Sequence, residues 1–260
     1  MSETLFYEKS NGQLSFLPIR TNKRLYVVQS NNLIRAKQNL SLNEAKLIRI
    51  IIAQIVSNDV EFKPYIISPQ ELAEMLDNKD SVNIYHSAKA MCSSIMKKQL
   101  EIQSDDGSWA AYQWVTVCKY DAKTKKIQIK LNEELKPFLI NLINTGYYAQ
   151  YQLEDALKFN SIFAIRIFEL IMEELKFIPA KNSTDIIISK ETIRNACYLD
   201  YYDYCRKIAV TKFEKISQFK EKVLDVACKE IERCTLYTVS YSDIKEGKSI
   251  TAFTFHVKYF

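Results

Sequence analysis

Between Arg206 and Lys222, six cations (Arg206, Lys207, Lys212, Lys215, Lys220 and Lys222) stand against two acids, Glu214 and Glu221. Such a local cluster, inside an otherwise balanced half of the chain, is what a phosphate-contacting surface needs. Charge alone fits a solvated helix face equally well. A second segment, Ser81 to about Lys97, has helical periodicity. Ile84, Ala88, Met91 and Ile95 fall on one stripe, widened by Tyr85, Cys92 and Met96. The opposite arc holds Asn83, His86, Ser87, Ala90, Ser93, Ser94 and Lys97, with little of the Glu/Lys pairing usual on a solvated helix. Small side chains let a helix approach base edges in a major groove. A surface helix that happens to be rich in serine would give the same pattern.

Other chemistries lack their residues. The four glycines (Gly12, Gly107, Gly146, Gly247) are far apart, so no phosphate loop or dinucleotide fingerprint can be written. The two histidines, His86 and His256, are distant in sequence, which excludes an HExxH hydrolase or a paired-histidine metal site. A tyrosine nucleophile for strand nicking has material in 16 tyrosines, but such enzymes usually need an activated metal that these histidines do not supply. Cys92, Cys118, Cys197, Cys205, Cys228 and Cys234 form no CxxC pair and read as reduced, mostly buried thiols. The N-terminal Met1–Gly12 is polar rather than a signal peptide, and the apolar run Leu47–Val56 is too short for a bilayer and is interrupted by Arg49. A net charge of +5 adds little by itself. The expectation is a cytoplasmic binding protein rather than an enzyme, with no cofactor, metal or membrane partner.

The elements that would position the two segments follow in order. Leu25–Gln29 is a strand, and Ser41-Leu42-Asn43-Glu44 is a capping box opening a buried helix to about Val56. Phe62–Ile67 is a strand, and Ser68-Pro69-Gln70-Glu71 starts a short helix that ends near Leu76, before the polar turn Asp77–Asp80. After the Ser81–Lys97 helix come strands Leu100–Gln103, Ala111–Lys119 and Lys126–Leu131, then an Asn132-capped helix to about Ile143. The second half repeats the order: a helix near Leu153, another over Ile162–Leu175, strand Thr184–Ile188, and a Ser189-capped helix to Ala196. A tyrosine-rich connection then leads to a long helix, Ser217 to about Arg233, and the hairpin Leu236–Tyr241/Ser249–Lys258. Short helix, turn, longer helix, hairpin is the order of a winged helix. The reading is an α+β chain of two tandem winged-helix domains, 1–145 and 146–260.

Several stretches resemble one family. They are Val28–Leu33 with Leu40–Glu44, Leu131-Asn132 with Leu139, and Tyr151-Gln152-Leu153. The most specific are Asn160–Leu170 (NSIFAIRIFEL) and Phe219–Leu224 running on to Glu230-Ile231. In order from about residue 25 to the end, they resemble the replication initiators of iteron-type plasmids. The resemblance implies a pseudo-twofold pair of winged helices that clamps repeated double-stranded sites at a plasmid origin in a bacterial cytoplasm. It implies monomers that start replication, homodimers formed through the first domain that repress their own gene or block initiation, and recruitment of host replication proteins such as a helicase or initiator. A stand-alone transcriptional repressor would share the fold.

Carried over by position, Lys215, Gln218, Lys220, Lys222 and Lys229, with Lys212, are the contacts expected of the second recognition helix. Lys245 and Lys248 are those of its wing. Relatives tend to be basic at the position of Glu221, so this carboxylate either accepts from cytosine N4 or pairs with Lys222 and Lys229. The connection Cys197–Ile216 is longer than the family pattern, which leaves the roles of Arg206, Lys207 and Lys212 open. In the first domain the candidates are Ser87, Lys89, Ser94, Lys97 and Lys98, with Arg35 and Lys37 at the backbone. The first wing is expected at Asp105–Gly107. The first domain is expected to supply mostly phosphate contacts and dimerisation, the second most of the base readout.

Overall fold

The structure is a computed structural model that describes residues 25–56, 59–75, 84–103, 106–142, 146–175, 183–203 and 205–259. The polar stretch Met1–Gly12, the turn Asp77–Asp80, the helix start at Ser81, Asp105 and the break at Asn144-Thr145 lie outside them. The first half runs β1 (Tyr26–Ser30), α1 (Asn31–Arg35), β2 (Lys37–Gln38), α2 (Leu42–Ile52), β3 (Tyr65–Ile67), α3 (Pro69–Met75) and α4 (Ile84–Ile95). There follow β4 (Gln99–Gln103), β5 (Trp109–Gln113), β6 (Val115–Asp121), β7 (Lys126–Leu131), a 3-10 turn Glu133–Leu135 and α5 (Lys136–Leu139). The second half runs β8 (Tyr148–Gln152), α6 (Leu153–Lys158), α7 (Ile162–Leu175), β9 (Thr184–Ser189), α8 (Lys190–Ala196), β10 (Asp200–Asp203) and β11 (Ile208–Thr211). A continuous helical stretch then comprises α9 (Ile216–Phe219), a π-helical segment (Lys220–Leu224) and α10 (Asp225–Cys234). The chain closes with β12 (Tyr237–Glu246) and β13 (Ser249–Tyr259).

Local sequence accounts for the starts. The Ser41 hydroxyl accepts from Glu44 N–H while Glu44 accepts from Ser41 N–H at 2.7 Å, and Ser68 and Glu71 do the same at 3.1 and 2.7 Å. Ser189 caps α8 at Thr192 N–H, 2.9 Å. Asn132 caps as expected, but the helix it opens is short. Pro137 stands in the first turn of α5, Ile140 is extended and Asn141 has φ +58, so the run to Ile143 is broken.

The sheets show the repeat that the sequence lacks. Strand order β3–β7–β6 in the first half matches β9–β13–β12 in the second, and both are antiparallel. Helix, strand, helix, helix, two strands is therefore made twice: α2, β3, α3, α4, β6, β7, then α7, β9, α8, the 216–234 helix, β12, β13. These are two winged helices. Two expectations change. Ala111–Lys119 is not one strand, because fully buried Trp114 divides it into β5, which pairs with β4 at the edge of the β2–β4–β5 sheet, and β6, which pairs with β7. As a result, the β4–β5 hairpin is an insertion, and the first wing is the turn between β6 and β7. The tyrosine-rich connection is not a plain loop either, since it holds the β10–β11 hairpin.

The halves are joined in two ways. β1 pairs with β8 from Tyr26↔Gln152 to Ser30↔Tyr148. Beneath them runs α7, buried nearly all round. Its Ile165, Ile167, Phe168, Leu170 and Ile171 each stabilise by about 1.5–3 kcal/mol on burial. At its centre lies an ion cluster. Arg49 donates to both Glu169 oxygens at 2.9 and 3.0 Å and to Gln38 at 3.1 Å, and Gln29 donates to Glu169 at 2.8 Å. The Tyr151 hydroxyl donates to Glu169, as does Arg166. Arg166 also donates to the carbonyls of Ile34 and Ala36 (3.2 Å) on one side and Ala196 (2.9 Å) on the other. The three charged side chains are at most 1% exposed.

Burial would raise the Glu169 carboxyl, but the charges of Arg49 and Arg166, with the hydrogen bonds, bring it down to about 2. A depressed acid stabilises above its unfolded value near 4.3 and loses that contribution as pH falls through the folded value. The stabilisation is thus complete above about pH 5 and lost towards pH 2. Glu169→Gln leaves two buried guanidiniums facing a neutral amide and is expected to cost about 3–5 kcal/mol in urea unfolding at pH 7. The variant should also lack the parent's loss of stability between about pH 5 and 2. An unchanged urea midpoint, or an unchanged acid profile, would show that the cluster does not hold the fold.

Candidate nucleic-acid interface

The second recognition helix, 216–234, buries Phe219, Val223, Leu224, Ala227, Cys228, Ile231 and Cys234 and turns Ser217, Gln218, Glu221, Lys222 and Lys229 outwards. The π segment shifts the phase between its two ends, a feature that often marks functional helices. Glu221 pairs with Lys222 at 2.7 Å, so the carboxylate is held by its neighbour and not by Lys229. Lys220 does not point out with Lys222. Half-buried, it reaches back to Asp243 on β12 at 2.6 Å, while Asp225 accepts from the Tyr241 hydroxyl at 2.7 Å. These two ties fix helix to wing. They also give direction: β12 passes residue 225 and then residue 220, so the wing tip with exposed Lys245 and Lys248 lies at the N-terminal end of the helix. Gly247, at φ +60, supplies the left-handed backbone of that tight turn. Lys215 is exposed at the N-cap position, and exposed Lys212 lies 5.1 Å over the Tyr201 ring.

In the first domain α4 buries Ala88, Cys92 and Ile95 and exposes Tyr85, His86, Lys89, Ala90 and Ser93, with Lys97 just beyond its end. Ser87 is half-buried. Ser94 turns the other way, hydrogen-bonding Glu44, whose carboxyl also takes Lys98 at 3.6 Å. Burial raises the Glu44 carboxyl, but Ser94, Ser41 and Lys98 together hold it below its ordinary value. Arg35 pairs with Glu173 and Glu174 at 2.7 and 3.3 Å, and Lys37 with Glu101 at 3.8 Å. Both line a polar cleft of about 390 Å³ at the seam between the halves, with Asn32, Thr192 and Asn195. The wing between β6 and β7 carries Lys123, Lys125 and Lys126, with Asp121 accepting from the turn amides of Lys123 and Thr124. By position in the sheet this basic turn, not Asp105–Gly107, matches Lys245–Lys248.

One element beside the recognition helix was not read from the sequence. The β10–β11 hairpin is fastened by Arg194, which forks onto Asp200 at 2.6 and 2.7 Å and donates to the carbonyls of Lys212 and Phe213 at 2.9 and 3.3 Å. Its guanidinium sits 5.7 Å from the Phe219 ring centroid, at the start of the recognition helix. The Arg194 hydrogen bonds and charge hold the Asp200 carboxyl below its ordinary value. The run Ile208-Ala209-Val210-Thr211 after the cations Arg206-Lys207 was the available strand signal.

Glu230 on α10 accepts from the backbone N–H of Asn160 and Ser161 at 2.7 and 3.1 Å, capping α7. The histidines are apart: His86 is edge-on to Tyr85, and His256 bonds Asp185 and Ser242. Among the described residues no group of three or more His, Cys, Asp and Glu side chains is placed to hold a metal ion, and no helix is long and apolar enough to cross a membrane. Burial pushes the Cys197 and Cys228 thiols up to about 12, while Cys205 is exposed.

Comparison with known proteins places this geometry. The family model for the WH1 domain of the initiator replication proteins matches residues 26–172, and that for the WH2 domain of the initiator Rep proteins matches residues 206–257. A replication initiation protein of Escherichia coli is 24% identical over 156 residues, a match covering 58% of this chain and 48% of that protein. The match thus spans about half the length of that curated relative. The solved Pi initiator protein in complex with iteron DNA has the same fold, with a TM-score of 0.75 at 18% identity, covering 92% of this chain and 99% of that one. With a family match over more than half its length and both winged helices in place, the chain belongs to the replication initiator family.

Proposed function

We propose that the protein starts plasmid replication by binding direct repeats of double-stranded DNA, the iterons, with one winged helix in each of two successive grooves. The observation that carries this reading is the buried Arg49–Glu169–Arg166 cluster. It joins two winged helices into one body, each with a helix turned outwards and a basic wing. That a relative of the same fold is bound to iteron DNA supports it. In this reading Gln218, Lys222 and Lys229 face the groove, and Lys212, Lys215, Lys245 and Lys248 lie along phosphates. Lys220 orients the wing. Lys89 and Lys97 act from α4, while Arg35 and Lys37 border the backbone at the seam. Ser94 and Lys98 act on α4 through Glu44.

The division of labour follows the halves, 1–145 taking mostly phosphate contacts and self-association and 146–260 most of the base readout. Homodimers repress the gene or restrain initiation, and host replication proteins join at the origin. The protein works in the bacterial cytoplasm and reads DNA without cutting it. Nicking of supercoiled origin DNA by the pure chain with Mg²⁺ or Mn²⁺ would overturn that last statement.

Two measurements test the reading. Selection from a randomised duplex pool with the full chain should enrich a site of about 20 base pairs, two turns of roughly 10.5. DNA carrying such repeats should replicate in cells only when the chain is supplied. Enrichment without replication would overturn initiation, and no enrichment would overturn repeat binding. On the selected duplex, Lys245→Ala/Lys248→Ala should make the plot of log affinity against log salt shallower by roughly 0.9 for each lost phosphate contact. An unchanged slope would show that neither side chain meets a phosphate.

A further inference from the structure

We infer that the β10–β11 hairpin is a second DNA-backbone arm, which seats Arg206 and Lys207 on phosphates beside the groove occupied by the 216–234 helix. The inference rests on the DNA-binding reading and adds an element to it.

The hairpin is built to be held still. Four residue pairs, Asp200↔Thr211 to Asp203↔Ile208, form its ladder. Arg194 ties both of its ends to the first turn of the recognition helix through Asp200, the Lys212 and Phe213 carbonyls and the Phe219 ring. Lys212 N–H donates to the Leu199 carbonyl at 2.8 Å, and Tyr198 stacks on Tyr201 at 4.8 Å between centroids. At the far end Asp203 accepts from the N–H groups of Cys205 and Arg206, both at 3.0 Å, and Lys207 takes φ +54. This closes a turn that presents two cations. Arg206 is 77% exposed, and its ion-pair distance to Asp203, 3.6 Å, leaves the guanidinium in solvent.

Position and sign then select the partner. The hairpin rises from the N-terminal end of the recognition helix, the end that the wing tip also reaches. That end is therefore where the hairpin tipped by exposed Arg206 and Lys207 is rooted and where the wing tip with exposed Lys245 and Lys248 arrives. Four residues per strand give a reach of about 13 Å. A major groove is about 12 Å wide, so an arm of this length rooted at a helix in the groove reaches the strand that borders it. Of the hairpin's two acids, Asp200 is paired with Arg194 and Asp203 is turned into the tip and 23% exposed, while Arg206 stands out, so the side chains the tip presents to solvent are cationic. Side chains of this kind position a protein on phosphates without reading sequence.

The test uses the full chain on the duplex it selects from a random pool, and on a mixed-sequence duplex of equal length. Arg206→Ala/Lys207→Ala should make the salt plot shallower by about 1.8 on both duplexes, while the selected sequence stays the same. An iron chelate attached to exposed Cys205 should cleave the backbone at one edge of the bound site, and Cys205→Ser should abolish that cleavage. Arg194→Ala, which releases the base, should speed amide exchange across Tyr201–Val210 and blur the cleavage. A selected duplex bound with an unchanged slope and no cleavage from Cys205 would overturn the arm and leave repeat binding standing. Loss of self-association in the double variant, with the slope unchanged, would assign the hairpin to a protein contact and also overturn it. Failure of the wild-type chain to select any duplex would remove the reading beneath it.

Discussion

The structure depends on one carboxylate. Glu169 lies between two guanidiniums from different elements, and the second of them, Arg166, reaches carbonyls on both halves of the chain. Buried ion pairs add little net stability over a well-packed apolar alternative, but their directional geometry tolerates little displacement. Arg49 also lies 6.0 Å from the Trp114 ring centroid, and Trp114 is where the chain passes from the inserted sheet to the first wing sheet. The same cluster thus joins the halves and borders the point at which the first wing sheet begins. Glu230 adds a second tie, because a residue of the recognition helix caps the helix that carries Glu169.

Within that frame the two winged helices differ by where a hairpin has been inserted. In the first, β4–β5 follows the recognition helix and is joined to β2 near the seam. In the second, β10–β11 precedes the recognition helix and stands at its N-terminal end. A pair of equivalent modules thereby acquires unequal surfaces. The first ties its recognition helix and inserted hairpin back to its own α2 and β2, through Glu44–Lys98 and Lys37–Glu101, while the second projects charge outwards.

Much of this was legible in the sequence, for identifiable reasons. Capping serines with a glutamate three residues on fixed α2 and α3, and the apolar stripe through Ala88, Met91 and Ile95 fixed the orientation of α4. The order of elements was enough to read two winged helices. What escaped was long-range. Arg49 looked like an interruption of an apolar run, and Arg166 and Glu169 were letters in a family motif. Only the fold brings together residues 120 positions apart. Lys220 looked equivalent to Lys222 because its partner, Asp243, lies on a strand beyond the helix. Trp114 concealed a change of sheet inside one β-like run, which moved the first wing from an acidic turn to a basic one.

The central claim is that one rigid body lays two helices along one face of a duplex. A hydroxyl-radical footprint of the full chain on its selected duplex tests it most directly. Two protected windows are expected on the same face, their centres about 10.5 base pairs apart. A single window at full affinity, or two windows on opposite faces, would contradict it.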